Sequence, residues 1–269
     1  MDINKKITLD FEKQFNKLKL KNCKNLYVTS NLKQFASVRI KKKDKLNIIF
    51  KTLKKTMNKN FTIFAPAATL NLCNTNQVFD PLNTPSHEMG PFSEHIRSKK
   101  SVRSLHPLWS IVGLGKNSKS LKNVSKHAYG HGSPWSIMLD LDFTQLNIGT
   151  HPSKAVTLIH HVETIMGVPY RFNKEFRQKI LIDNKIQEKN FYLSVFFKSA
   201  EIKKRIKLNE HFFKKLNDLG KLNYFKNSFG LEMWSFKMRD FFDVSTKMMK
   251  EDIYCYLEEK PNLSEVHKN

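Results

Sequence analysis

Along the first two dozen residues apolar side chains recur at helical spacing, at Ile7, Phe11, Phe15 and Leu18, with lysines between them. That period predicts an amphipathic helix within residues 1–24. The pattern then shortens. NLYVTS (25–30) is a β-branched and aromatic run ending in hydroxyls, as expected of a strand entering a loop. KLNIIFKTLKKTM (45–57) returns to the helical period, and FTIFAPA (61–67) predicts a second strand stopped by Pro66. From Asn71 to His106 the chain reads as a long turn-rich segment punctuated by Pro81, Pro85 and Pro91. WSIVGLG and LNIG predict two buried strands, and TLIHHVETIM predicts a helix. After Pro169 the patterns loosen into a strand at NFYLSVFFKSA and a helix at NEHFFKKLNDLG closed by Gly220. FGLEMWSFKMRDFFDVSTKMMKEDIYCYLEE then predicts a strand leading into a final helix.

Strands alternating with helices predict an α/β fold, a sheet sandwiched by helices. Without an internal repeat or a strong linker, the expected organisation is an N-terminal helical extension at 1–24, one domain over 25–260 and a flexible tail at 261–269. With 269 residues, of which 40% are hydrophobic, there is ample material for a packed core. No apolar run approaches the length of a membrane span, and the N-terminus lacks the pattern of a signal peptide. Cys23, Cys73 and Cys255 are widely spaced and form no CxxC pair, which fits thiols in a reducing compartment; the expected location is the cytoplasm.

The formal charge of +23 raises a nucleic-acid reading. Two features argue against it. The 47 basic residues are mostly lysine, whereas bidentate recognition of phosphates and base edges favours arginine. Zinc-finger spacing, an RRM signature and a helix-turn-helix are also missing. The charge fits an anionic small ligand equally well. GxxxxGK[ST] and GxSxG motifs are absent, which argues against a P-loop nucleotide enzyme and a serine hydrolase. His127 and His131 stand at i,i+4 without a second ligand pair, so no metal site is expected.

RSLHPLWSIVGLG (103–115) gathers Arg103, Ser104, His106 and Ser110 ahead of an apolar run, more polar chemistry than a turn needs. It belongs to an ordered series. DPxxTPSxxMGxxxExxR runs from Asp80 to Arg97, RSxHPxxS from Arg103 to Ser110, YGxGSP from Tyr129 to Pro134 and TxxHxxE from Thr157 to Glu163. This series resembles the antibiotic N-acetyltransferase family, whose best-known members are the aminoglycoside 3-N-acetyltransferases, and the resemblance spans about 25–250. It implies a central mixed sheet flanked by helices, distinct from the GCN5-like fold, whose RxxGxG/A loop is absent. It also implies acetyl-CoA as co-substrate and a small amine acceptor.

Acetyl transfer to an amine needs a base, donors for the developing oxyanion and a groove for the coenzyme A phosphates. His160 is the base candidate, because imidazole alone has an unperturbed pKa near neutrality, and the family's catalytic histidine falls at this position. On a helix Glu163 lies at i+3 and Thr157 one turn earlier, so the carboxylate can orient the ring and the hydroxyl can donate to the thioester carbonyl. His161 points about 100° away and is assigned to packing or surface. A further carboxylate implied by the family falls near Glu210, which reads equally as a helix N-terminal charge.

The resemblance assigns the cofactor track to Ser30, Arg103, Ser104, His106, Ser110, Gly132 and Ser133, with His106 and Pro107 shaping the turn. Asp80 and Glu94 are the candidates for the acceptor side. Two departures stand out. The loop after the first strand is glycine-rich in the family but reads SVRIKKKDK here, so lysines stand where backbone donors are usual. The segment from Arg171 to Lys207 matches poorly, which leaves the acceptor open between an aminoglycoside and an amino sugar, for instance one linked to a nucleotide. A different acyl group, or a non-catalytic binding role, are the competing readings.

Overall fold

The structure, a computed structural model, describes residues 2–197 and 209–262. Its centre is a seven-stranded mixed sheet in the order β3-β4-β2-β1-β5-β9-β8. The strands are β1 (Asn25–Ser30), β2 (Thr62–Pro66), β3 (Val102–Arg103), β4 (Ile111–Gly115), β5 (Thr144–Ile148), β8 (Asn223–Lys226) and β9 (Glu232–Lys237). β1 runs parallel to β2 and β5, while β4 and β9 flank that trio antiparallel. The two remaining strands, β6 (Arg171–Ile182) and β7 (Lys185–Phe196), form a separate antiparallel hairpin.

Strand side chains alternate between faces, so each strand feeds two cores. On one face Leu26, Val28, Ile63, Ala65, Val112, Leu146 and Ile148 meet α1 (Ile3–Lys17), α2 (Lys42–Thr56) and α3 (Pro91–Arg97). On the other, Tyr27, Phe64, Ile111 and Phe236 meet α4 (Pro134–Asp140), α5 (Leu158–Met166), α6 (Glu210–Asp218), α7 (Met238–Glu251) and the inner face of the hairpin. The fold is therefore a helix–sheet–helix sandwich, as the alternating pattern predicts. The apolar stripe of α1, Ile7, Phe11 and Phe15, is fully buried in the first core, so this helix is an integral layer of the sandwich.

Several predicted elements need revision. The turn-rich segment 71–106 contains α3, because Pro91 sits at the first turn of a helix, where its missing N–H and fixed φ suit it. The single strand read at 190–200 is the second arm of the hairpin, and its last residues, from 198, lie outside the described residues, as does the expected tail from 263 on. No helix among the described residues is long and apolar enough to cross a membrane.

The loop after β5 needs glycine. Gly149 has φ +67°, and a Cβ there would stand 2.0 Å from the Asn31 carbonyl oxygen. Gly149→Ala is expected to destabilise the fold by about 2 kcal/mol or more, from left-handed strain plus the backbone clash. Urea denaturation would read this, and an unchanged midpoint would refute it.

Candidate active site

β1 is the switch point of the sheet. The connection to β2 passes through α2 on one face, and the chain reaches β5 through α4 on the other. The two crossovers diverge there and leave a crevice beyond the carboxyl ends of the parallel strands, where α/β folds bind ligands. A cleft of about 990 Å³ occupies this position. Its wall includes Ser30 at the end of β1, Pro66 at the end of β2, Thr150 after β5, Thr157 at the start of α5 and Trp109 from the 103–110 turn. Gly90 lets the 86–91 loop close on Ser30, since a Cβ there would lie 2.4 Å from the Ser30 carbonyl oxygen.

Charge and unmet hydrogen bonds define what the cleft suits. Lys33, Lys42, Lys45 and Lys154 line it, against the carboxylate of Glu88. Lys45 is buried, its Nζ donates to the Phe35 carbonyl at 2.6 Å, and burial lowers its pKa. The Ser30 and Thr29 hydroxyl oxygens lie buried at the cleft without a protein partner. Cations and unpartnered hydroxyls together suit a phosphate-bearing ligand.

α5 begins at the cleft wall and ends at Gly167, which takes the left-handed conformation that closes a helix. Thr157 is its N-cap residue, yet its side chain makes no capping bond. One turn on, His160 Nδ1 lies 2.8 Å from Glu163 Oε2, the i,i+3 contact that the spacing predicts. The Glu163 side chain is fully buried, whereas a quarter of the His160 side-chain surface is exposed; Thr157 lines the cleft wall and His160 does not. Tyr129 and Tyr256 stand edge-on to the ring at 5.5 and 6.3 Å. Desolvation pulls the His160 pKa below its ordinary value; the Glu163 bond opposes this and Arg171 adds to it. For Glu163, burial alone would raise the pKa, but His160 and Arg171 outweigh it and hold the carboxyl below its usual range. The pair at neutral pH is a carboxylate beside a neutral imidazole.

Arg171, the first residue of β6, completes this cluster. Its Nε stands 2.9 Å from Glu163 Oε2, an ion pair without hydrogen-bond alignment. Its Nη2 is 3.1 Å from His160 Nδ1, and its Nη1 donates to the Ser194 carbonyl at 3.1 Å. Nothing in the sequence singles this arginine out. The hairpin carrying it was detectable only from Asp183–Asn184, both at positive φ in the tight turn between β6 and β7.

The other expected site residues fall in different places. Ser30 lines the cleft. Arg103 does not: it is buried, with Nε donating to Ser110 Oγ at 2.9 Å and its other nitrogens donating to the carbonyls of Thr84 and Ala67. Ser110 Oγ in turn donates to Ala67 O, and Ser104 Oγ accepts from Ile111 N. His106 is buried and accepts from Trp109 N through Nδ1, which shapes the turn. The segment therefore builds the scaffold that presents Trp109 to the cleft, and its own polar groups are consumed internally. Gly132, at φ +71°, accepts from Ser125 N, and Ser133 is buried near His161. His161 is also buried, as a packing residue. Asp80 caps its own turn by accepting from Leu82 N and Asn83 N. Glu94 pairs with Arg97 and Ser86 and lines a neighbouring depression of about 860 Å³ that shares Lys42 and Glu88 with the cleft. Glu210 is exposed in the first turn of α6, with His151 as its electrostatic neighbour. No group of three or more potential metal ligands occurs among the described residues.

Known proteins share this architecture. The aminoglycoside acetyltransferase AAC(3)-Xa superposes with a TM-score of 0.76 at 15% identity, covering 91% of this chain and 92% of that one. A structure described as AAC-IIIb in a binary complex with CoASH gives 0.76 at 17% identity, covering 94% and 98%. At these identities the likeness establishes the fold. In sequence, aminoglycoside N(3)-acetyltransferase VII of Streptomyces paromomycinus is 30% identical over 118 residues, a stretch spanning 42% of this chain and 41% of that relative. The family profile described as Aminoglycoside 3-N-acetyltransferase matches residues 28–250. The chain belongs to the aminoglycoside 3-N-acetyltransferase family, a family of acyltransferases.

Proposed function

We propose that this chain transfers the acetyl group of acetyl-CoA to a primary amine of an amino sugar or aminoglycoside, with His160 as general base. The observation that carries the reading is the His160–Glu163 contact of 2.8 Å, one helical turn from the Thr157 cleft wall. Acetyl-CoA, when bound, supplies an activated acyl group and an anionic tail. The unpartnered Ser30 and Thr29 hydroxyls and the lysines of the cleft fit such a tail; of these lysines, Lys42 and Lys45 come from the SVRIKKKDK stretch and lie in the first turn of α2. His160 uses Nδ1 toward Glu163, which leaves Nε2 to accept the proton of the attacking amine. Glu163 stabilises the imidazolium as it forms, and Thr157, free of capping duty, serves as donor to the developing oxyanion. The cytoplasm is the compartment we assign, where three cysteines without a disulfide persist.

The cleft favours a neutral or anionic acceptor over a polycation. Capture of a polycationic antibiotic needs several carboxylates facing the ligand, yet the cleft wall offers Glu88 against four lysines, Asp80 and Glu94 are engaged in local hydrogen bonds and Glu163 is buried. An amino sugar carried on a nucleotide fits the lysine-rich wall better. Thiol release from acetyl-CoA, assayed with amino-sugar nucleotides and kanamycin-type antibiotics, tests both levels. Amine-dependent release with the first class is expected. Turnover of the antibiotics alone would overturn the acceptor assignment. Acetyl-CoA at a hundred times its Kd should stabilise the fold by about 2.7 kcal/mol, seen as a raised Tm. Stabilisation without turnover of any amine would favour the binding-protein reading.

A further inference from the structure

The ionised Glu163 beside His160 poses an electrostatic problem. A buried carboxylate needs a compensating cation. If His160 were that cation, it would already hold the proton it is meant to take. Arg171 offers another solution. Its guanidinium reaches Glu163 Oε2 at 2.9 Å and lies 3.1 Å from His160 Nδ1. Its side chain is 6% exposed, is stacked 3.7 Å from the centre of the Phe196 ring and is tied to the Ser194 carbonyl. The titratable groups around the imidazole are Glu163 on its own helix, Arg171 on β6, Tyr129 from the turn before α4 and Tyr256 beyond α7, with Tyr170 beside Glu163. Arg171 is the permanent cation of this set.

We infer that Arg171 is a positioning residue that balances the charge of Glu163, so that His160 stays neutral and able to accept the amine proton. The inference rests on the reading of His160 as base. The shorter contact, 2.8 Å to a carboxylate oxygen that can only accept, fixes the proton of the neutral ring on Nδ1. The guanidinium beside that N–H then opposes a second proton on the ring. Lowering of the His160 pKa by Arg171 has the same sign. The three groups thus carry one positive and one negative charge before transfer, and the imidazolium forms only as the amine reacts.

The test is the pH profile of kcat/KM, with the His160 imidazole also titrated by NMR, which needs no turnover. In Arg171→Met the acid limb and the imidazole titration should both move upward by about 1–3 pH units, the range for one close charge. kcat at pH 6 should fall roughly tenfold or more while KM changes little, and activity should recover at higher pH. Arg171→Lys, which keeps the charge, should lie near the parent profile. Arg171→Gln replaces the methionine variant if that does not fold. A lowered Tm with unmoved titrations would overturn the inference and leave Arg171 a structural clamp. Full activity in a His160→Ala variant would instead remove the base assignment itself, so the two failures are distinguishable.

Discussion

His160→Ala is expected to lower kcat by roughly 10²–10⁴-fold, the usual contribution of a positioned general base. That loss corresponds to about 3–5 kcal/mol of transition-state stabilisation. Acetyl-CoA binding should survive, because the lysines and Ser30 that line the cleft do not touch the imidazole, and KM for acetyl-CoA should change little. The fold should survive too, since part of the ring surface is exposed and its polar partners are Glu163 and Arg171 rather than backbone groups. Thiol release with the cognate amine checks the rate, and a Tm measurement checks the fold. An unchanged rate would remove His160 as base and leave the cleft a binding site.

The second large effect is on stability in acid. His106 and His161 are both buried, and burial pushes each pKa down to about 4. Each accepts a backbone N–H on Nδ1, from Trp109 and Gly130 respectively, so protonation would set donor against donor. An unfolded histidine titrates near 6.5. Below that pH the unfolded chain takes up protons that the folded chain refuses, and stability falls as pH drops from about 6.5 toward 4. Above it the two rings have no pH effect. The loss amounts to about 2 kcal/mol per ring by pH 5 and about 3 by pH 4, a large share of the 5–15 kcal/mol of an ordinary domain. Buried carboxylates contribute at lower pH, so the interval from 6.5 to 5 isolates the histidines. Urea denaturation across it should show the decline. His95, His151 and His160, whose pKa values burial also lowers, add to this slope, so His161→Asn, whose amide oxygen can replace Nδ1 as acceptor, should remove about 2 kcal/mol of the decline by pH 5. Equal slopes for parent and variant would refute the assignment.

The parts of the molecule that were legible in the sequence are those where one physical pattern dominates. β1 matches NLYVTS residue for residue, because a strand covered on both faces is an unbroken apolar and β-branched run. α5 was readable from its period, and its i,i+3 geometry delivered the His160–Glu163 contact directly. β6 was hidden because its buried face includes Gln178 between Phe176 and Ile180, an amide whose Nε2 donates to the Gln77 carbonyl. β8 has only four residues, too few for a period to register. Arg103 illustrates a different ambiguity. An arginine beside serines looks the same in a phosphate cradle and in a loop brace, and burial decides between them. Here its donors meet Thr84, Ala67 and Ser110. Arg171 was invisible because its role depends on a hairpin bringing two distant segments together.

That hairpin has one more consequence. The main sheet ends in strands of two and four residues, edges too short to template a foreign strand. The twelve-residue arms of β6 and β7 are the long ribbon of the molecule, and among the described residues isolated bridges tie its flanks to the body, Phe79 to Ile180 (beside the Gln178 Nε2 bond to the Gln77 carbonyl) and His127 to Tyr192. Lys174, Arg177, Lys179, Lys185 and Lys189 stud those arms. Repulsion between such ribbons works against intermolecular β-pairing whenever a bridge opens, so the cationic excess here acts as a guard against aggregation.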